Sequence, residues 1–435
     1  MKSSRLRSKD GELRVHYAWV IAGVAFLTIL GAAGFRSVPG VLMDPLHHEF
    51  GWSHGTIGAA MSVNMALYGL TAPFAAALMD RLGIRPVVTG ALSLIAAGTG
   101  LAVFMTASWQ LVLLWGVLVG LGTGALSTAF VATIATRWFV ARRGLVTGVL
   151  TAASATGQLI FLPIVAALAD AHGWRTAILV VTAVAVAVVP VAGLLLRSWP
   201  SDLGMPAYGS DEVAAPVREE RGMARAALAG LALGARRPVF WLLAASFAIC
   251  GATTNGLLQT HFIPAAGDHG MPATTAASLL ALVGVFDVVG TIASGWLTDR
   301  VDPRLLLVIY YLGRGVALAG LPSILGASAT PSIWVFILFY GLDWVATVPP
   351  TMALARDQFG DATPVVFGWI FAAHQLGAAV AAFGAGAIRD ASGGYDPAFY
   401  TAAALCVLAG LLCWAVPRQR AMRAERSDRT PEPIG

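Results

Sequence analysis

Charged residues are scarce in this sequence. They make up 12% of its 435 residues, against 57% hydrophobic residues, and the mean hydropathy is +0.74. A soluble domain carries about twice that charged fraction, so the composition excludes one. The net charge of +5 is too dilute to indicate a nucleic-acid site, and we expect no nucleic-acid partner. The low charged fraction and high hydrophobic fraction predict an all-α integral membrane protein in contact with the lipid bilayer.

Cysteine is rare as well, and the motifs of catalysis are missing. Cys250, Cys406 and Cys413 lie in apolar runs without metal-binding spacing, so we expect buried thiols and no metal site. The sequence has no phosphate-binding loop, no dinucleotide fingerprint and no plausible nucleophile, histidine and acid set. We therefore expect no enzyme activity, no cofactor and no direct use of ATP.

Long apolar runs, in contrast, are abundant and divide into two blocks. A window of about twenty residues predicts twelve transmembrane helices. They lie near residues 17–43, 54–79, 84–106, 109–134, 144–169, 176–196, 239–264, 274–298, 303–326, 332–355, 364–388 and 395–417. The first run is longer than a signal-peptide core, so we expect it to be retained as a helix.

The domain organisation follows from these runs. We predict an N-terminal tail, a six-helix bundle, a polar linker, a second six-helix bundle and a C-terminal tail. Their respective boundaries are 1–16, 17–196, 197–238, 239–417 and 418–435. Within the linker, residues 217–237 have the pattern of an amphipathic surface helix.

The cations predict the orientation. Of the 28 lysines and arginines, all but four lie in the tails, the linker and the loops on the side of both termini. Arg175 and Arg389 lie in loops on the other side, and Arg36 and Arg314 lie inside predicted helices. The positive-inside rule then places both termini in the cytoplasm, in a multi-pass protein of the cell membrane.

The two blocks are related by an internal repeat. The loop "AALMDRLGIRP" at 76–86 returns as "GWLTDRVDPRL" at 295–305. Gly148 and Gly368, and likewise Asp170 and Asp390, are each 220 residues apart. Two parallel six-helix repeats around a central site are an architecture of secondary transporters.

The repeated loops resemble the signature of the major facilitator superfamily, Gly-x-Leu-x-Asp-Arg-x-Gly-x-Arg. The resemblance covers essentially the whole chain and implies the twelve-helix fold of two six-helix pseudo-repeats. It also implies gating loops that latch neighbouring helices in one state and release them in another. The residues concerned are Asp80, Arg81, Arg85, Asp299, Arg300 and Arg304.

Three further segments are similar to the bacterial monocarboxylate porter and oxalate/formate antiporter group. Ala18-Trp19 matches the start of helix 1 in those porters, and Arg36 falls near their carboxylate-binding lysine. Asp287, in "VFDVVGTIASG", matches their helix 8 segment, although Thr291 stands where they usually carry an arginine.

Four charges lie within predicted helices: Arg36, Asp287, Arg314 and Asp343. Such charges are costly in lipid, so they should face the protein interior or water. The resemblance implies that helix 1 lines the cavity and helix 9 is peripheral. We therefore interpret Arg36 as a carboxylate clamp, the alternative being an ion pair with Asp287. Arg314 is expected to pair with Asp343 or Asp287, and an acid left unpaired could carry a proton.

Neutral polar residues complete the candidate site. His374 could carry the coupled proton or pack as a neutral residue. Asn64, Tyr68, Gln158 and Asn255 could orient a substrate or hydrogen-bond between helices. Pro349-Pro350 should break or kink helix 10.

Three functions remain open. The first is a monomeric secondary transporter of a small, monocarboxylate-like organic anion, coupled to protons or working by exchange. The second is an efflux carrier for amphiphilic drugs or metabolites. The third is a receptor built on a transporter scaffold. The anion carrier is favoured because the cavity charge without a nearby counter-ion, Arg36, is positive.

Overall fold

The computed structural model describes residues 16–213 and 223–417. Side chains at positions 36, 37, 76, 77, 80, 128, 129, 144, 155, 223, 224, 226 and 361 are outside that description. In the described residues the chain is almost entirely helical, and its β-type pairing is limited to an isolated bridge between Phe139 and Tyr208.

In the described parts of the chain, twelve long helices, labelled α1 to α12 in chain order, form two groups of six. The first group is α1 Tyr17–Phe50, α2 His54–Leu82, α3 Ile84–Ala102, α4 Ser108–Trp138, α5 Arg143–His172 and α6 Trp174–Leu195. The second is α7 Pro238–Asp268, α8 Ala273–Thr298, α9 Pro303–Ile324, α10 Pro331–Phe359, α11 Thr363–Ser392 and α12 Asp396–Trp414.

Eleven of these helices in the described part of the chain are long and apolar enough to cross a membrane. The remaining helix, α2, has 29 residues and carries neutral polar side chains such as Asn64 and Tyr68. Large apolar side chains such as Leu194, Ile292 and Val316 are exposed on the outside of the bundle, as lipid contact requires.

Helix α1 is longer than the hydropathy pattern predicts. It continues through Pro45 to Phe50 and ends at Gly51, whose φ of 67° and hydrogen bond to His47 O close the last turn. The additional turns carry Asp44, two histidines and Glu49, so a hydropathy window cannot detect them.

The internal repeat is visible in the helix breaks. Helix α4 is interrupted at Leu126-Ser127, after three glycines that weaken helix propensity. Helix α10 is unwound at residues 344–347, directly before a new helix that begins at Val348 and has Pro349-Pro350 in its first turn. The two breaks are related by the 220-residue offset, so each half carries one at an equivalent place.

Glycines allow the two halves to approach closely along α2 and α11. A Cβ atom on Gly58 would clash with Ala382 O, and one on Gly386 would clash with His54 O. Close packing through small residues is typical of helix pairs in lipid, where the hydrophobic effect does not hold helices together.

The linker lies against one end of the bundle, which we call the linker side. Tyr208 exchanges backbone hydrogen bonds with Trp138 O and Val140 N, both at 2.9 Å. A linker helix, Met223–Ala235, packs on α11, where Trp369 Nε1 donates to Ala227 O at 2.7 Å. It falls within the segment predicted to form a surface helix.

Candidate functional site

A cavity of about 250 Å³ lies between the two halves. Helices α2, α4 and α5 line it from the first half, and α7, α8, α10 and α11 from the second. Its polar lining residues are Tyr68, Ser127, Thr151, Ser154, Gln158, Thr254, Asn255, Gln259, Asp287, Thr347, His374 and Gln375. Most are neutral hydrogen-bonding groups, so the cavity can hold a small polar molecule.

Five residues predicted from the sequence line this cavity: Tyr68, Gln158, Asn255, Asp287 and His374. They come from five different helices, so the tertiary fold brings together candidates that are far apart in the chain.

Two other residues predicted for the site, Asn64 and Arg36, are not among these five. The Asn64 amide donates to Trp115 O at 2.8 Å, so Asn64 forms a hydrogen bond between α2 and α4. This is one of the two roles, substrate orientation or helix-to-helix bonding, that the sequence left open. The side chain of Arg36 lies outside the described residues, and the structure gives only its position on α1.

Asp287 faces the break in α10. Its Oδ1 accepts a hydrogen bond from Thr291 Oγ1 at 3.0 Å and another from Val345 N at 3.0 Å. Val345 lies in the unwound segment, where backbone N–H groups have lost their helical partners. The break in α10 therefore holds a carboxylate through a backbone amide and a neighbouring hydroxyl.

Arg314 is engaged with Asp343 and does not line the cavity. Arg314 Nε lies 2.6 Å from Asp343 Oδ2, and Arg314 Nη2 donates to Asp343 O at 2.7 Å. Its Nη1 is within hydrogen-bonding distance of Cys250 Sγ and Thr253 Oγ1. This network joins α7, α9 and α10, and it selects Asp343 from the two acids that the sequence left open.

His374 is packed between aromatic rings. Its ring centroid lies 4.7 Å from that of Phe247 and 5.8 Å from that of Phe371, and the Phe371 ring is parallel to it. These contacts fix the imidazole at the cavity wall, where it can contact a bound molecule.

Several cavity residues were not identified from the sequence. Thr151 is one of them, although Thr151, Ser154 and Gln158 follow a helical i, i+3, i+7 pattern on α5 that could have revealed a polar face. Ser127 lies at the break in α4. Because it is outside both helical segments, no helical periodicity in the sequence indicates that it faces the cavity.

On the side opposite the linker, α2 and α11 are joined by an acid. Asp390 accepts hydrogen bonds from His54 N at 2.9 Å and Gly55 N at 2.7 Å. The His54 ring lies 3.4 Å from both Asp390 and Asp44. A carboxylate at the first turn of a helix is favourable, because the N–H groups there point toward it.

The paired signature loops lie on the linker side. Asp80 is outside the described side chains, and Arg81 and Arg85 are exposed. In the second loop Asp299 is exposed, and Arg300 donates to Trp296 O. Arg304 pairs with Asp302 at 2.7 Å and donates to Val416 O. That contact ties the start of α9 to the end of α12 within one half.

Comparison with known families decides the class of this protein. The model of the Major Facilitator Superfamily matches residues 24–382. The chain belongs to the major facilitator superfamily. As a member of this superfamily it is a multi-pass membrane transporter and not an enzyme.

Related sequences include monocarboxylate transporters. Monocarboxylate transporter 11 of Mus musculus is 27% identical, over 92% of this chain and 88% of its own length. Monocarboxylate transporter 13 of Rattus norvegicus is 27% identical, over 91% of this chain and 87% of its own length. The uncharacterized MFS-type transporter YcxA of Bacillus subtilis is 23% identical, over 87% of this chain and 90% of its own length.

Solved structures agree in fold. A D-xylose-proton symporter gives a TM-score of 0.71 at 16% identity, covering 93% of this chain and 99% of its own. A bacterial homolog of the human lysosomal transporter Spinster, in its inward-facing and occupied conformation, gives a TM-score of 0.72 at 16% identity. The match covers 97% of this chain and 100% of that structure's chain. At this identity the similarity concerns the fold alone, and it agrees with the fold expected from the sequence.

Proposed function

We propose that this superfamily member is a secondary active transporter of a small, monocarboxylate-like organic anion. It works by alternating access in the cytoplasmic membrane as a monomer, with the linker side facing the cytoplasm. Transport is coupled to protons or proceeds by exchange. The monocarboxylate transporters among its relatives support the substrate class.

The size and lining of the cavity are the observation that carries this proposal. A water molecule takes about 30 Å³ of liquid, so a cavity of about 250 Å³ has room for about eight. Drug-sized ligands occupy pockets of about 300–1,000 Å³. The volume therefore favours a small organic acid over the amphiphilic compounds of an efflux carrier.

The charges of the site support an anion. Arg314 is occupied by Asp343, and the cavity acid Asp287 is held by two neutral donors. Arg36, on α1, is then the cation proposed to bind the substrate carboxylate. A guanidinium presents two parallel N–H donors that match a carboxylate, and it stays charged at every physiological pH.

The coupled proton is assigned to Asp287, and His374 is the alternative carrier. Both residues line the cavity, where a bound anion and a proton can influence each other. Binding of the substrate anion favours protonation of a nearby carboxylate, which links the two events.

The test is uptake into proteoliposomes of labelled lactate, pyruvate, oxalate and formate, with and without an acid-outside pH gradient. We expect at least one anion to accumulate. Arg36→Ala should lower its uptake at least tenfold, while Arg36→Lys retains part of the activity because the point charge remains. Arg225→Ala, which removes an exposed linker-helix cation, is the matched control and should match wild type. Accumulation of amphiphilic cations in place of every anion would favour the efflux carrier.

A further inference from the structure

The two helix breaks are equivalent in the repeat but differ in what they hold. In the second half, Val345 N donates to the carboxylate of Asp287 at 3.0 Å. In the first half, the position equivalent to Asp287 by the offset of the paired signature loops is Tyr68. The position equivalent to Asp287 therefore carries no carboxylate in the first half.

Ser127 stands at the break in α4 with an unused hydroxyl. Its side chain is buried, with 4% of the residue exposed, and its Oγ has no hydrogen-bond partner among the residues that the structure describes. The residue also lines the cavity between the halves. Leaving a buried hydroxyl unpaired is unfavourable, so a ligand that pairs with it binds more tightly.

A helix of eleven residues, Thr128–Trp138, begins directly after Ser127. Serine is a preferred N-cap residue, yet the Ser127 hydroxyl makes no capping hydrogen bond to this helix. The first turn of a helix carries the positive end of its dipole and attracts anions. A donor hydroxyl and a helix N-terminus thus meet at the cavity wall.

From these observations we propose that the start of the Thr128–Trp138 helix binds the carboxylate of the transported anion, with Ser127 as hydrogen-bond donor. The substrate carboxylate there takes the role that Asp287 takes at the break in α10. This assignment deepens the proposed function and rests on it. Ser127 becomes a specificity-determining residue that acts together with Arg36.

The roles of Ser127 as a ligand and as a helix cap are separated by two substitutions. Aspartate is as good an N-cap as serine, so a purely structural role predicts that Ser127→Asp transports normally. A carboxylate-binding role predicts that Ser127→Asp loses anion uptake, because its own carboxylate occupies the site and repels the substrate. Ser127→Thr keeps the hydroxyl and should retain activity.

The experiment measures concentration-dependent uptake of labelled lactate and pyruvate into proteoliposomes, with thermal melts of every variant. We expect Ser127→Ala to raise the KM for the transported anion about tenfold, as expected for a lost hydrogen bond to a charged group. Its melting temperature should stay near that of wild type. Ser278→Ala, which removes an exposed hydroxyl from α8 away from the cavity lining, should change KM less than twofold.

The outcomes separate the two proposals. Wild-type uptake with an unchanged KM in Ser127→Ala, or normal uptake by Ser127→Asp, would overturn the carboxylate site and leave the anion carrier intact. A folded wild-type protein that transports none of the four anions of the uptake panel would overturn the anion carrier, and the carboxylate site with it.

Discussion

The carboxylate of Asp390, on α11, accepts a hydrogen bond of 2.7 Å from the backbone N–H of Gly55, on α2. The two residues belong to different halves, and they meet at the end of the bundle opposite the linker. A charged hydrogen bond at a helix N-terminus contributes about 0.5–2 kcal/mol. Asp390 therefore stabilises the contact between α2 and α11 at this end of the bundle.

Removing this carboxylate should open that end more often. We expect Asp390→Ala to increase the population open on the side opposite the linker about tenfold, because 1.4 kcal/mol is a factor of ten. Spin labels at Thr56 on α2, which is partly exposed, and at Ser392 on α11, which is exposed, report the separation of the two helices. Asp170→Ala, the repeat counterpart, is the control. Unchanged distance distributions in Asp390→Ala would contradict the assignment.

The glycine contact between α2 and α11 should act on the same equilibrium. Gly58 lies against the backbone of Ala382, so Gly58→Ala forces the helices apart and should favour the open population in the same distance measurement. Gly384→Ala is the matched control on α11, because a Cβ there meets nothing within 4 Å. Equal behaviour of the two variants would show that close approach at Gly58 does not govern closure.

Arg314 and Asp343 should be coupled in stability. Removing one member of a buried ion pair leaves a charge without a partner and costs about 3–5 kcal/mol. Arg314→Met and Asp343→Leu should each lower the melting temperature in detergent, and the double variant should recover part of the loss. The control is Arg314→Met combined with Asp268→Ala, which breaks a separate ion pair with Arg389, and there we expect additive losses. Additivity in both pairs would mean that the 2.6 Å contact does not determine stability.

Asp287→Asn should separate proton coupling from substrate exchange. The amide imitates a protonated acid, and its oxygen can still accept from Thr291 and Val345. We expect pH-driven accumulation to be lost and exchange of labelled for unlabelled anion to persist. Counterflow and pH-jump uptake in the same vesicles measure the two steps. His374→Gln should then have only a mild effect on uptake. Intact pH-driven uptake in Asp287→Asn would instead indicate that His374 carries the coupled proton.

The class of the protein and its internal repeat can be predicted from the chain alone. Apolar runs, the cation distribution and the 220-residue offset depend on local composition and spacing, which one chain displays directly. They predict a membrane transporter of two six-helix repeats, and the resemblance of the paired loops implies the major facilitator fold. They also indicated Tyr68, Gln158, Asn255, Asp287 and His374, which all line the cavity.

The tertiary structure decided which groups are neighbours. Asp287 and Asp343 are equivalent in sequence terms, as acids within apolar helices, but Asp343 lies 2.6 Å from Arg314 and Asp287 accepts from Val345. Asn64 bonds to Trp115, while Ser127, which no pattern marked, lies at a helix break in the cavity wall. The physical reason is that hydrogen bonds and ion pairs act over about 3 Å through space. Which side chains reach that distance depends on how helices far apart in the chain cross and where they unwind.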